Sequence, residues 1–420
     1  MHDFKIRSGR LHCERVPVEA IARAAGTPVY IYSRHTIVDH YQKLARAFRA
    51  LKPLICFSVK ANGNLAILKL LVSQGAGLDI VSGGELFRAR AAGCPGNRIV
   101  FASVGKRPDE IRQALSERIA CFNVESIAEL AAINAEAGCL GRKAQVALRI
   151  NPDVEAHTHH YITTGVATSK FGINLELAER EILTRWRRYP HLELQGFHLH
   201  IGSQITQAAP FIKAIAKVGG LITRLRARGV RIETLNLGGG LGIVYKDEAP
   251  QTADAFARKV VPQIAKLGVR LILEPGRFIV GNAGALIAQV LYLKESRGKR
   301  FIVVDTGMND LIRPALYSAY HEILPVAKTA GRPKVYDVVG PVCESADVLG
   351  SARSLPEPTP GAYLAVLGAG AYGFVMSSNY NGRGRAAEVM VKGSKWFIVR
   401  KRETVEDLVR LETMPKALVS

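Results

Sequence analysis

A parallel (β/α)8 barrel joined to an all-β domain is the fold this sequence predicts, and three observations predict it. Between residues 54 and 275, short apolar runs alternate with helical patterns eight times, the signature of a barrel of strand–helix units. The first run is not followed by the GxGxxG turn that an open dinucleotide-binding sheet would carry. Past about residue 280 the pattern changes to alternating or continuous apolar runs between Gly/Pro-rich turns, as in a β domain.

The barrel runs lie at 54–59, 77–81, 98–102, 120–123, 145–150, 195–200, 234–237 and 270–273. Helix-like stretches at 64–74, 85–92, 109–116, 126–137 and 209–228 separate them. In the second half, 288–293, 300–305, 334–339, 363–367 and 388–392 read as strands, and 29–33 is one more strand ahead of the barrel. This divides the chain into a barrel over 30–280 and a β domain made of 1–29 with 281–420.

Composition narrows the class. A chain of 420 residues with 48% hydrophobic and 22% charged side chains can bury two ordinary cores. No apolar run approaches bilayer length, and Met1-His2-Asp3-Phe4-Lys5 has no apolar stretch after a basic head, so a cytoplasmic protein with no membrane partner is expected. Cys13, Cys56, Cys94, Cys121, Cys139 and Cys343 form no CxxC pair, which argues against a disulfide framework or a zinc site. The net charge of +21 is spread singly over amphipathic segments, with Arg185-Trp186-Arg187-Arg188 the densest cluster. It therefore reads as a solvated surface rather than a nucleic-acid site.

Candidate chemistry collects where a barrel keeps it, at the C-terminal ends of the strands. The first strand reads as buried and ending in Lys60, a residue type that tolerates such a place when it has a lowered pKa or a covalent role. Asp79, Arg149 and His200 belong to the second, fifth and sixth. The seventh runs into Gly238-Gly239-Gly240, whose backbone N–H groups could approach a phosphate, and the eighth into Glu274-Pro275-Gly276-Arg277 on the same rim. Ser203 adds a hydroxyl. Singly each has a plain alternative: a lysine reaching out to solvent, a tight turn, a satisfied core histidine. Together a lysine, a phosphate cradle and a buried carboxylate point to pyridoxal phosphate, with Lys60 forming the internal aldimine, Glu274 pairing with the pyridinium nitrogen and His200 stacking on the ring.

Motifs in order along nearly the whole chain strengthen this. They are Val59-Lys60-Ala61-Asn62, Ser169-Lys170-Phe171-Gly172-Ile173, His198-Leu199-His200-Ile201-Gly202-Ser203-Gln204, Leu237-Gly238-Gly239-Gly240-Leu241-Gly242, Glu274-Pro275-Gly276-Arg277, the 308–317 segment with Arg313 and Tyr317, Cys343-Glu344-Ser345 and the 372–381 segment that opens with Tyr372. The set resembles the fold-type III pyridoxal-phosphate decarboxylases, and within them the members that convert meso-2,6-diaminopimelate to L-lysine and CO2, the last step of lysine biosynthesis. The resemblance implies pyridoxal 5'-phosphate held by Lys60, Asp79, Arg149, His200, Ser203, Gly239, Gly240, Glu274, Gly276, Arg277 and Tyr372. It implies substrate contacts from Arg277, Arg313, Tyr317, Glu344 and Tyr372, and Cys343 as the proton donor. It further implies a homodimer in which Cys343 and Glu344 serve the neighbour's site, so that the β domain contributes to substrate site and dimer interface. Two arginines suit a substrate with a second carboxylate; their plain alternative is interface ion pairing. Gly63 and Phe278 depart from the familiar residues without removing a needed group, and the His157-Thr158-His159-His160 cluster is assigned no metal.

Overall fold

The computed structural model describes residues 3–155, 170–329, 331–415 and 418, which form two compact units, one of 38–280 and one of 1–37 with 281–420. The His157–His160 cluster and Ser169 lie outside the described residues.

The first unit is a closed barrel of eight parallel strands: Leu54–Ser58, Gly77–Ile80, Ile99–Phe101, Cys121–Val124, Ala144–Ile150, Leu192–Leu199, Thr234–Asn236 and Arg270–Leu273. The last strand closes on the first through Ile272 beside Leu54 and Leu273 beside Ile55. Every run expected from the sequence is a barrel strand, with ends shifted by a few residues. Helices follow the strands, and their starts are written in the sequence. Asn64 caps Leu65–Ser73, Ser82 caps Gly83–Ala91 and Ser126 caps Ile127–Cys139, each side-chain oxygen accepting an otherwise orphaned backbone N–H.

One expectation needs correction. The first strand stops at Ser58, and Lys60 sits in a short 3-10 turn, Val59–Ala61, with its side chain 34% exposed. Lys60 is thus a rim residue rather than a buried strand end. Just before the turn Ser58 is tied to the neighbouring eighth strand, its N–H donating to Pro275 O at 3.0 Å.

The second unit is built on a nine-stranded sheet. Its centre is Gly284–Ser296, which runs antiparallel to Val29–Ser33 and to Tyr363–Leu367. Val29–Ser33 in turn pairs parallel with Ala387–Lys392, so a strand from before the barrel lies inside the later sheet. Apolar side chains from these strands, including Val29, Ile31, Ala285, Ile287, Leu367 and Val389, make the core together with Phe4, Leu11 and Ile21. Strands Val348–Leu355 and Lys395–Arg400 and the small sheet of Phe4–Arg7, Arg10–Cys13 and Val16–Pro17 were not expected from the sequence. Among the described residues no helix is long and apolar enough to cross a membrane.

Lys106 is the barrel's own structural cation. Its side chain is fully buried, and Nζ donates to Ser103 O at 2.9 Å, to Asn123 O at 2.8 Å and to the Glu129 carboxylate. It thereby ties the end of the fourth strand to the helix that follows. Lys106→Ala leaves Glu129 buried without its cation and is expected to lower unfolding free energy by about 3–5 kcal/mol. Lys106→Met with Glu129→Gln is expected to recover most of that loss, as read by urea denaturation.

Candidate functional site

Strand periodicity builds the site. With a repeat of two, Leu54, Cys56 and Ser58 share one face of the first strand, Gly77 and Asp79 of the second, and Cys121 and Asn123 of the fourth. Ala147 and Arg149 do so on the fifth, Gly196 and His198 on the sixth, and Thr234 and Asn236 on the seventh; Glu274 follows Ile272 off the eighth. At the N-terminal level this face is apolar or small, and Cys56, Val100, Cys121, Ala147 and Ile272 pack as one cluster. At the C-terminal level it turns polar on seven strands: Ser58, Asp79, Asn123, Arg149, His198, Asn236 and Glu274, all buried.

Glu274 is the centre of that layer. It is 3% exposed, and its Oε1 accepts hydrogen bonds from Asn123 Nδ2 at 2.9 Å and Asn236 Nδ2 at 2.6 Å. His198 Nε2 lies 3.0 Å from Oε2. Burial pushes this carboxyl up, but His198, Lys60 and Asn236 outweigh it and hold the pKa below the ordinary range, so the group is an anion. Asp79 differs: burial and repulsion from Glu274 raise its pKa against the pull of Lys60 and Ser58. Its Oδ2 accepts from Lys60 Nζ at 2.7 Å and from Ser58 Oγ at 2.7 Å.

Around this layer stand the other expected residues. His200 is half-buried, and its pKa is driven well below normal by desolvation and then by the charges of Arg149 and Lys60, so the ring is neutral. Its Nδ1 accepts from Gly239 N–H at 3.3 Å. Arg149 pairs with Glu125 at 2.7 Å and donates to His200 O at 3.3 Å, so it braces the histidine's backbone. Its guanidinium also lies 4.6 Å from the centre of the Phe171 ring, while Glu125 accepts the Gly172 N–H at 2.9 Å. The motif around Phe171 is thereby anchored to the barrel.

The glycine run is required by crowding. A Cβ on Gly238 would come 2.3 Å from Leu199 O, on Gly239 2.3 Å from Glu274 O, and on Gly240 2.6 Å from Gly202 O. Gly238 and Gly240 also have φ of +68° and +105°, where other residues are strained. Gly276 approaches the Ala61 methyl, where a Cβ would meet it at 3.0 Å. Arg277 and Ser203 are brought together, Nη2 donating to Oγ at 3.0 Å, while Nη1 donates to Tyr245 OH at 2.7 Å.

Lys60, Asp79, Arg149, His200, Ser203, Gly239, Gly240, Glu274, Gly276 and Arg277 all belong to the barrel unit; Arg313, Tyr317, Cys343, Glu344 and Tyr372 belong to the other. There Arg313 is buried and Tyr317 half-buried on one short helix, Arg313–Tyr317. Tyr372 takes a left-handed backbone with φ +55°. Cys343 and Glu344 are exposed on a loop fixed from behind, since Asp347 accepts N–H bonds from Met308 at 2.6 Å and Val342 at 2.7 Å. Asn381 Oδ1 accepts from Cys343 N–H at 2.7 Å. Sequence reasoning missed Ser58, Asn123, Asn236 and Tyr245, and quoted His198 only as part of a motif. The strand parity that puts Asn123 and Asn236 in one layer with Glu274 was the available signal.

Residues 34–281 match the model of the pyridoxal-dependent decarboxylase family, pyridoxal binding domain. The diaminopimelate decarboxylase of Pseudomonas aeruginosa is 48% identical over 414 residues, covering 99% of this chain and 99% of that protein. That of Haemophilus influenzae is 45% identical over 415 residues, covering 98% and 100%. The crystal structure of diaminopimelate decarboxylase from Helicobacter pylori complexed with L-lysine superposes with a TM-score of 0.90 at 42% identity, over 94% of this chain and 98% of that one.

Glu85, on the helix after the second strand, gives the site a pH signature. Its Oε2 accepts the Val81 N–H at 2.8 Å, yet burial pushes its pKa from 4.5 up to about 7. The folded state therefore resists ionising Glu85, and stability drains away as pH rises from about 4.5 to about 7. Glu85→Gln is expected to match the parent near pH 4.5 and to exceed it at pH 8 by up to about 3 kcal/mol, read by thermal unfolding across that range.

Proposed function

The chain belongs to the pyridoxal-dependent decarboxylases, and from that membership we propose that it removes CO2 from meso-2,6-diaminopimelate to give L-lysine. The observation that carries the substrate assignment is that the likeness runs the whole length of the chain. It takes in Arg313, Tyr317, Cys343, Glu344 and Tyr372, which a match to the barrel alone would leave open.

The residues present fit pyridoxal phosphate. An anion kept charged while buried, Glu274, suits a protonated ring nitrogen. The crowded Gly238–Gly240 loop offers backbone without side chains to a phosphate, joined by Ser203, Gly276 and Arg277. Lys60 supplies the amine for the carbonyl carbon, steadied by Asp79, and neutral His200 offers a ring face without adding charge. When bound, the cofactor supplies an electron sink for the pair left behind by CO2. Tyr372 and Arg149 complete the set, Arg149 by bracing the His200 backbone.

Each remaining residue then has a defined task. Glu274 would keep the ring nitrogen of the bound cofactor protonated. Arg277, Arg313 and Tyr317 take the substrate's carboxylates, and Glu344 its distal ammonium. Cys343 hands a proton to Cα once CO2 has left. Its exposure beside Glu344 on a loop anchored by Asp347 supports its use by a second copy of the chain, in a homodimer with shared sites.

Purified holoenzyme is expected to release CO2 and form L-lysine from meso-2,6-diaminopimelate; absence of both products would overturn the proposal. Lys60→Ala is expected to abolish turnover. Glu274→Gln is expected to lower kcat on the order of 10²–10³-fold. The shared site has its own test. Mixing Lys60→Ala and Cys343→Ala chains is expected to restore about a quarter of wild-type activity, because half the dimers are hybrids with one intact site. No recovery on mixing, with hybrids verified by mass, would place both residues in one chain's site.

A further inference from the structure

Arg313, a residue 7% exposed, opens its helix, and its guanidinium does not shed its proton. Its Nη1 donates to Nε2 of His321 at 2.8 Å. On the other side of that ring, Nδ1 lies 2.8 Å from the carbonyl oxygen of Leu367. These two partners fix the protonation of the ring. A carbonyl only accepts, so Nδ1 carries the hydrogen; a guanidinium only donates, so Nε2 is bare. His321 is therefore neutral, with its lone pair aimed at Arg313.

The ring is also held in place. His321 is fully buried, and Leu367 grips the same segment a second way by donating its N–H to Glu322 O at 2.8 Å. Leu367 ends the strand Tyr363–Leu367, which pairs with Ile323–Pro325 directly after the histidine. A neutral acceptor adds no charge of its own when it orients a guanidinium, unlike Glu125 against Arg149. A guanidinium held in one orientation is what bidentate recognition of a substrate carboxylate requires.

We infer that His321 is a positioning residue that aims Arg313 at the substrate's distal carboxylate, and so contributes to the preference for amino acids carrying one. The inference rests on the role of Arg313 proposed above. L-Lysine keeps the carboxylate of that end, and cadaverine is the same chain without it. Calorimetric titration of the holoenzyme with each ligand therefore isolates the contact.

His321→Asn retains an amide hydrogen for Leu367 O but does not reach Arg313. It is expected to weaken L-lysine binding about ten- to a hundredfold while leaving cadaverine within about twofold. His321→Gln places an amide oxygen near the position of Nε2 and is expected to stay within about fivefold of wild type for both ligands. If His321→Asn leaves L-lysine affinity unchanged while Arg313→Ala weakens it, the inference falls and the role of Arg313 stands. If Arg313→Ala leaves L-lysine affinity unchanged, the role of Arg313 falls and the inference with it. Equal weakening of both ligands by His321→Asn, no recovery with Gln, or failure of both variants to fold would make His321 a purely structural residue and overturn the inference.

Discussion

The barrel unit turns on one buried anion. A carboxylate at the depth of Glu274 is tolerated only if donors replace the water it has lost. Those donors come from three strands far apart in sequence: Asn123 on the fourth, His198 on the sixth and Asn236 on the seventh. The buried anion is therefore supplied with its donors only once the barrel has closed. The same closure stacks Ser58 and Asp79 beside it and lets Asp79 hold Lys60, so charge and fold are set by one event. Two carboxylates in one layer also divide the work: repulsion from Glu274 raises the Asp79 pKa, while Glu274, richer in donors, stays charged.

Much of this was legible before any coordinates. The barrel strands announce themselves because each is a short apolar run, and three of the helices that follow start at the caps Asn64, Ser82 and Ser126. Lys60, Glu274 and the glycine run fall at strand ends, where a barrel keeps its chemistry. The residues that solvate Glu274 were not legible in the same way. Asn123 and Asn236 look like ordinary turn-facing amides until closure brings their strands around to the eighth. Lys60 was placed too deep because Val59 extends the apolar run by one residue, whereas the strand stops at Ser58 and the chain enters a 3-10 turn. In the second unit, Val348–Leu355 escaped notice because Gly350, Ser351, Arg353 and Ser354 break the apolar alternation. The residues of that unit entered through motif resemblance alone, since neither Cys343 nor Arg313 carries a pattern that separates it from a plain thiol or a plain ion pair.

Both units use histidines as neutral parts. His200 is kept uncharged by burial among cations, and His321 by a carbonyl on one side and a guanidinium on the other. In each case the ring supplies shape or a lone pair without adding charge where the neighbouring cations would resist it. Arg149 is paired with Glu125, while Arg313 donates to the neutral ring of His321.

The crowding at Gly238, Gly239 and Gly240 has a practical corollary for anyone re-engineering this enzyme. Each added methyl would strike a carbonyl oxygen of a different neighbouring segment, at Leu199, Glu274 and Gly202. These three positions act as spacers that set how closely the barrel's rim segments approach, and directed evolution has no conservative step available there. Libraries aimed at new amino-acid substrates are therefore better spent on the helix that begins at Arg313 and the segment around Tyr372, with the barrel rim left as a fixed chassis.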